Sequence, residues 1–120
     1  MKIAVASQNK KTLTGHAGKC TCFYLFTLDS KNSILSKELL ELPPEKMLHN
    51  HFHGPNPEEH HPLFEMNFVI TENMGMGFQN RMAAKGIKAV ATAEKDIDTA
   101  VELLLKNELP LEEPHRHHHH

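Results

Sequence analysis

The stretch Phe68-Val69-Ile70-Thr71-Glu72-Asn73-Met74-Gly75-Met76-Gly77-Phe78, followed by Gln79 to Gly86 and Ile87 to Ala91, decides the fold. Asn67 to Thr71 is a short apolar run of strand length. The glycine-bearing segment Glu72 to Gly77 breaks it. Phe78 to Lys85 then reads as a helix with Phe78 and Met82 on one face, and Gly86 is suited to cap its C-terminus. Ile87 to Ala91 is again an apolar strand. A strand–helix–strand unit of this length demands parallel strands and a right-handed crossover. Downstream, Asp96 to Asn107 carries Ile97, Ala100, Val101, Leu104 and Leu105 at helical spacing, with Asp96 and Asp98 at the positive end of the helix dipole.

Upstream, Lys2 to Ser7 is nearly all apolar, as expected of a strand covered on both faces. Gln8 to Lys19 is a polar, glycine-containing loop. Thr21 to Leu28 is rich in aromatic and β-favouring residues, Asp29 to Asn32 is a turn, and Ser33 to Leu42 returns as an antiparallel partner, although Leu39 to Leu42 also fits a helix. Pro43 to Pro57 holds four prolines and reads as a long loop. Glu58 to Met66 reads as a short helix. The sum is a single α/β domain over residues 1–109, a five-stranded mixed sheet with flanking helices. Residues 110–120 form a disordered tail whose histidines resemble a purification tag.

Composition narrows the function. A chain of 120 residues supports one core, and a formal net charge of −2 leaves no basic footprint for nucleic acid. No apolar run approaches the roughly 20 residues of a membrane span, and Met1 to Ala6 lacks the features of a signal peptide, so a cytoplasmic protein is expected. No nucleophile–base arrangement is recognisable and the first strand lacks a carboxylate for a two-metal site, so the expectation is a binding protein and not an enzyme.

Three groups of residues carry possible chemistry. Of the eleven histidines, His49, His51, His53, His60 and His61 crowd into one segment. Taken as extended chain, His49, His51 and His53 project from one side as a ligand set for Zn, Ni or Cu, an arrangement distinct from the H-x-x-x-H of a helical zinc site. Equally, the segment is simply polar. His16, between Gly15 and Ala17-Gly18, leads through Lys19 into Cys20 and Cys22. On a strand the two thiols share a face, either as ligands or as small buried side chains, and Lys19 would favour a thiolate or an anionic ligand. Finally, Gly75, Met76 and Gly77 lie between a strand end and a helix start, where backbone N–H groups favour an anion; the bland alternative is an ordinary turn.

The order and spacing of these segments resemble the dinitrogenase iron–molybdenum cofactor biosynthesis family. The likeness lies in Met1 to Ser7, Thr14-Gly15-His16-Ala17-Gly18, Phe23 to Leu28, and above all Phe68 to Ala91, with Asn73-Met74-Gly75-Met76-Gly77 followed by Met82 and Lys85-Gly86-Ile87. It spans about residues 1–107. It implies a ribonuclease H-like fold. It also implies binding of a metal–sulfur cluster of the iron–molybdenum type or its precursor, with molybdenum–copper sulfide as the variant known in one relative, and exchange with cluster-donor or -acceptor proteins. His16 and the Gly75–Gly77 turn are the positions carried over. Ala17 stands where the family usually has Phe, and Cys20, Cys22 and the His49–His61 cluster are departures from the general pattern. The expected cargo site joins His16, Lys19, Gly75, Met76 and Gly77, with His16, Cys20, Cys22, His49, His51 and His53 as metal ligands. The rival expectations are a simple divalent-metal binder and a ligand-free interaction module.

Overall fold

A computed structural model describes residues 1–113. Five strands form one mixed sheet: β1 (Lys2–Ala6), β2 (Cys22–Leu28), β3 (Ile34–Glu41), β4 (Phe68–Thr71) and β5 (Lys88–Ala91), in the order β3-β2-β1-β4-β5. β2 runs antiparallel to β1 and β3, while β1, β4 and β5 are mutually parallel. Three α-helices accompany the sheet: α1 (Leu48–Phe52), α2 (Met76–Ala84) and α3 (Ile97–Leu105).

Side chains alternate across the strands and build two cores. Ile3, Val5, Phe26, Ile70 and Val90 face α3, which lays Ile97, Ala100 and Val101 onto them. Ala4, Ala6, Phe23, Val69, Ala89 and Ala91 face the other way, toward Met74, Phe78 and Met82 around α2 and Leu48 of α1. Both helices stop and start for local reasons. Gly86, at φ +77°, ends α2 with Gly86 N–H donating to Ala83 O and Ile87 N–H to Met82 O, which closes a Schellman motif. Asp96 caps α3 by accepting from Thr99 N–H at 2.9 Å.

The second half of the chain folds as its periodicity predicts, with α2 starting two residues earlier than expected because Gly75 already occupies the cap. The middle differs. The loop expected over Pro43 to Pro57 contains a 3₁₀ turn at Pro44–Lys46 and the helix α1. Leu48, fully buried, and Phe52, half-buried, lie one turn apart, so winding the segment puts both against the core. The helix expected over Glu58 to Met66 shrinks to a 3₁₀ turn at Pro62–Glu65, capped by the ring of His61. Leu39 to Glu41 are strand, paired with β2 through Tyr24↔Leu39 and Phe23↔Leu40. The start of the expected tail is paired with the sheet edge: Glu112 N–H donates to Ala91 O at 2.7 Å. Residues 114–120 lie outside the described residues.

Candidate functional site

The parallel strands β1 and β4 end side by side, and the chain leaving each one forms a wall of the site. After β1 the loop runs along the turn that follows β4, with a parallel bridge between His16 and Asn73. Gly15, at φ +99°, fastens the two walls together. Its carbonyl accepts from Thr71 Oγ1 at 2.8 Å and its N–H donates to Glu72 Oε1 at 3.0 Å. Glu72 also pairs with Lys95, and these two contacts, the Lys95 ammonium first, hold its carboxyl below the usual glutamate range. The Glu72 charge is therefore spent on the scaffold.

Gly18 shapes the next step. A Cβ there would meet His16 Cε1 at 3.2 Å and Phe78 Cδ2 at 3.4 Å, so only a glycine lets the imidazole fold back over the loop without displacement. Gly18 N–H donates to His16 Nδ1 at 3.1 Å. An accepting Nδ1 is unprotonated, which puts the proton of the neutral ring on Nε2. For Nε2 to ligate a metal, the ring must change tautomer and release Gly18. The ring also stands edge-on to Phe78, with centroids 6.2 Å apart.

Facing the loop is the start of α2. The first N–H groups of a helix have no intrahelical partner, and they carry the positive end of its dipole. Gly75 and Gly77 flank this point, and a Cβ on either would touch nothing within 4 Å. Neither glycine has a positive φ: Gly75 sits at φ −85° and Gly77 lies within the helix. Gly75 is the N-cap of α2, a place that suits glycine, while neither packing nor backbone strain gives a reason for glycine at Gly77; together they leave the helix start open.

The third wall is α1. Its amide at His49 donates to Gly18 O at 2.6 Å, which docks the helix on the His16 loop. The cleft enclosed by the three walls has a volume of about 260 Å³. Its charged lining residues are Lys19 and Arg81, joined by the imidazoles of His16, His49 and His53; no carboxylate among the described residues lines it. Two larger depressions, about 510 Å³ along Pro55–Glu59 and about 430 Å³ beside Arg81 and Lys85, both include Glu58 and lack a helix N-terminus. Of these three, the smaller cleft is the one whose charged lining residues are all basic.

The expected site residues therefore divide. His16, Lys19, Gly75, Gly77, His49 and His53 line one cleft. Met76, Cys20, Cys22 and His51 are not among its lining residues. Cys20 is buried, donates its thiol to Cys22 O at 2.9 Å, and burial pushes its pKa up, away from the thiolate a metal would need. Among the described residues, no group of three or more His, Cys, Asp or Glu side chains is gathered to hold a metal ion. The three-imidazole face over His49, His51 and His53 does not form, because the segment is helical. His49 and His53, one turn apart, share a face with ring centroids at 4.7 Å. His51 turns inward, with Nε2 2.9 Å from Glu59 O and its ring 5.2 Å from that of His61. The pair that the structure brings together thus has the i, i+4 spacing of a helix turn, not the i, i+2 spacing of an extended chain. Four lining residues were not among the expected site residues: Gly18, Phe52, Phe78 and Arg81. Arg81 lies four residues after Gly77, one turn along the same helix face, which was the available signal.

With this geometry in place, the comparisons with known proteins are specific. Residues 1–107 match the family described as dinitrogenase iron-molybdenum cofactor. The chain belongs to that family. Solved structures agree on the fold. A dinitrogenase candidate from Methanocaldococcus jannaschii superposes with a TM-score of 0.66 at 17% identity, covering 95% of this chain and 96% of that one. The apo orange protein of Desulfovibrio gigas gives 0.60 at 16% identity over 94% and 93% of the two chains. A NifB-protein candidate from Thermotoga gives 0.60 at 13% identity over 92% and 91%. No curated protein matches the chain. No helix among the described residues is long and apolar enough to cross a membrane.

Proposed function

We propose that this family member binds an anionic metal–sulfur cluster of the iron–molybdenum type, or a precursor of one, in the cleft between the His16 loop, α1 and the start of α2. It then passes the cluster to an acceptor protein without turnover chemistry. The observation that carries this reading is Gly77, a helical glycine that neither packing nor φ requires, beside the helix start capped by Gly75, in a cleft whose formal charges among the described residues are those of Lys19 and Arg81. Sulfide-bearing clusters are polyanions, and their surface atoms accept hydrogen bonds from backbone amides, Lys19, Arg81 and the Nε2–H of His16. Site and cargo fit on sign and donor chemistry.

The same proposal includes the ribonuclease H-like class, supported by a β2 that alone opposes the other strands, and a cytoplasmic location, supported by the oxygen-sensitive character of such cargo and by free Cys20 and Cys22. A bare divalent cation held by all three of His49, His51 and His53 fits less well, because His51 packs on the far side of α1, against Glu59 and His61.

The test is anaerobic titration of the full chain with tetrathiomolybdate, read by its absorption. Lys19→Ala and Arg81→Ala are each expected to weaken binding about tenfold, the scale of one charge-assisted contact. Affinity equal to wild type in the doubly substituted chain would remove the cleft as the seat.

A further inference from the structure

α1 brings His49 and His53 into a relation that the anion seat does not account for. They are exposed, lie one turn apart on a single helix face, and hold their rings 4.7 Å apart at an interplanar angle of 52°. Two imidazoles at i and i+4 on one helix face are a chelating pair for zinc-type ions, because the pitch spaces their nitrogens to meet at one metal. Both rings line the same cleft as Gly75 and Gly77.

The contact of His53 with α2 sharpens this. Arg81 Nη1 lies 3.3 Å from His53 Nε2. A guanidinium only donates, so Nε2 is the accepting nitrogen and its lone pair is directed at Arg81. That lone pair is the one a metal would take. Arg81 also stacks near Phe52, with its guanidinium carbon 5.6 Å from the ring centroid, so an apolar shelf holds it in this position.

We propose that His49 and His53 form a two-imidazole chelate for a late first-row transition ion of the nickel, copper, cobalt or zinc class. Arg81 covers this chelate when no metal is bound. Entry of the ion takes the His53 Nε2 lone pair from Arg81, with no proton released from that nitrogen. The freed guanidinium becomes available to the anionic part of the cargo. On the proposed function, on which this last point rests, the cargo lies with its sulfide face on the start of α2 and one metal corner toward α1.

The experiment measures the melting temperature of the full chain, with and without NiCl₂, by far-UV circular dichroism. An ion that binds the folded chelate raises it, increasingly so with concentration. Wild type, His49→Ala, His53→Ala and His60→Ala all carry the same C-terminal histidines, so the differences between them report α1. A rise of several degrees is expected in wild type and in His60→Ala, and most of it should vanish in either of the other two. An undiminished rise in His49→Ala and His53→Ala overturns the chelate. Arg81→Ala separates this idea from the anion seat, since it should strengthen the nickel response while weakening tetrathiomolybdate. A loss of both would overturn the covering role of Arg81. A second reading needs no substitution: paramagnetic Co²⁺ should shift the ring resonances of His49 and His53, and shifts confined to other histidines would count against the site.

Discussion

The two faces of the sheet solve the same packing problem with different materials. Toward α3 the strands present large residues, Ile3, Val5, Phe26, Ile70 and Val90, and a single amphipathic helix covers them. Toward the cleft, β1 and β5 present Ala4, Ala6, Ala89 and Ala91, and the space above them is filled by Leu48, Leu63, Met74, Phe78 and Met82 from several short pieces. Those pieces are joined by polar side chains. His61 Nε2 contacts Lys46 O at 2.7 Å while its Nδ1 accepts from Leu63 N–H at 3.1 Å, His51 reaches Glu59 O, and Asn50 donates to Pro44 O at 2.8 Å. One face is a continuous apolar seal. The other is an assembly that leaves a mouth, with histidine rings as its joints.

The strongest way to break this contrast is to damage the sealed face. Phe26 is 1% exposed and central to it. Phe26→Ala should cost about 3–5 kcal/mol of stability, measured by urea unfolding, through lost burial and a residual cavity. The molecules that remain folded should bind tetrathiomolybdate as wild type does, because no atom of Phe26 reaches the cleft. A matching loss of affinity in the folded fraction would show that the two faces are not separable.

Acid should act on the other face. His61 is fully buried, and burial, partly opposed by the Lys46 carbonyl, lowers its pKa; the neighbouring His51 and Lys46 push the same way as burial. Its neutral form also needs Nδ1 free of a proton to accept from Leu63. A histidine whose folded pKa lies below the unfolded value of about 6.5 contributes its full stability above that pH, and the contribution is lost as pH falls toward the folded value. Between pH 8 and pH 5, amide exchange corrected for its intrinsic pH dependence should therefore lose protection first in α1 and the Pro62–Glu65 turn. The α3 amides should hold, since the Asp96 cap, its pKa lowered by the bonds to Thr99, stays charged across this whole range. Parallel loss in α1 and α3 would sink the idea that histidine joints make this face the acid-labile one.

How much of this was legible depends on the length of the signal. β4, α2, β5 and α3 each carry enough periodic positions to declare themselves, and Gly86 marks a real boundary. α1 does not: five residues bearing two imidazoles, with prolines on both sides, offer only the pair Leu48 and Phe52 as a helical signature. Read as extended chain, the segment sets His51 on one side with His49 and His53, and the i, i+4 relation of the latter two is lost. The Gly75–Gly77 turn was legible as a candidate anion site because strand end, glycines and helix start are contiguous in sequence. Arg81, His49 and His53 join it only through tertiary packing. Cys20 and Cys22 drew notice as ligands by chemical type, and the fold spends both on burial.

The smallest expected effect is also the most discriminating, because its two readouts move in opposite directions. Gly77 sits in the first turn of α2, exposed, with open space where a Cβ would be. Within a helix, alanine is favoured over glycine by about 1 kcal/mol. Gly77→Ala should therefore raise the unfolding midpoint modestly, since no clash offsets the gain. The same methyl group would stand between the helix-start amides and anything resting on them, so tetrathiomolybdate affinity should fall by about tenfold, equivalent to about 1.4 kcal/mol. A residue kept for folding would show the reverse, lower stability with affinity unchanged. A gain in stability without loss of affinity would mean that the glycine face of the cleft does not touch the cargo, and the seat would have to be sought among Lys19, Arg81 and the imidazoles alone.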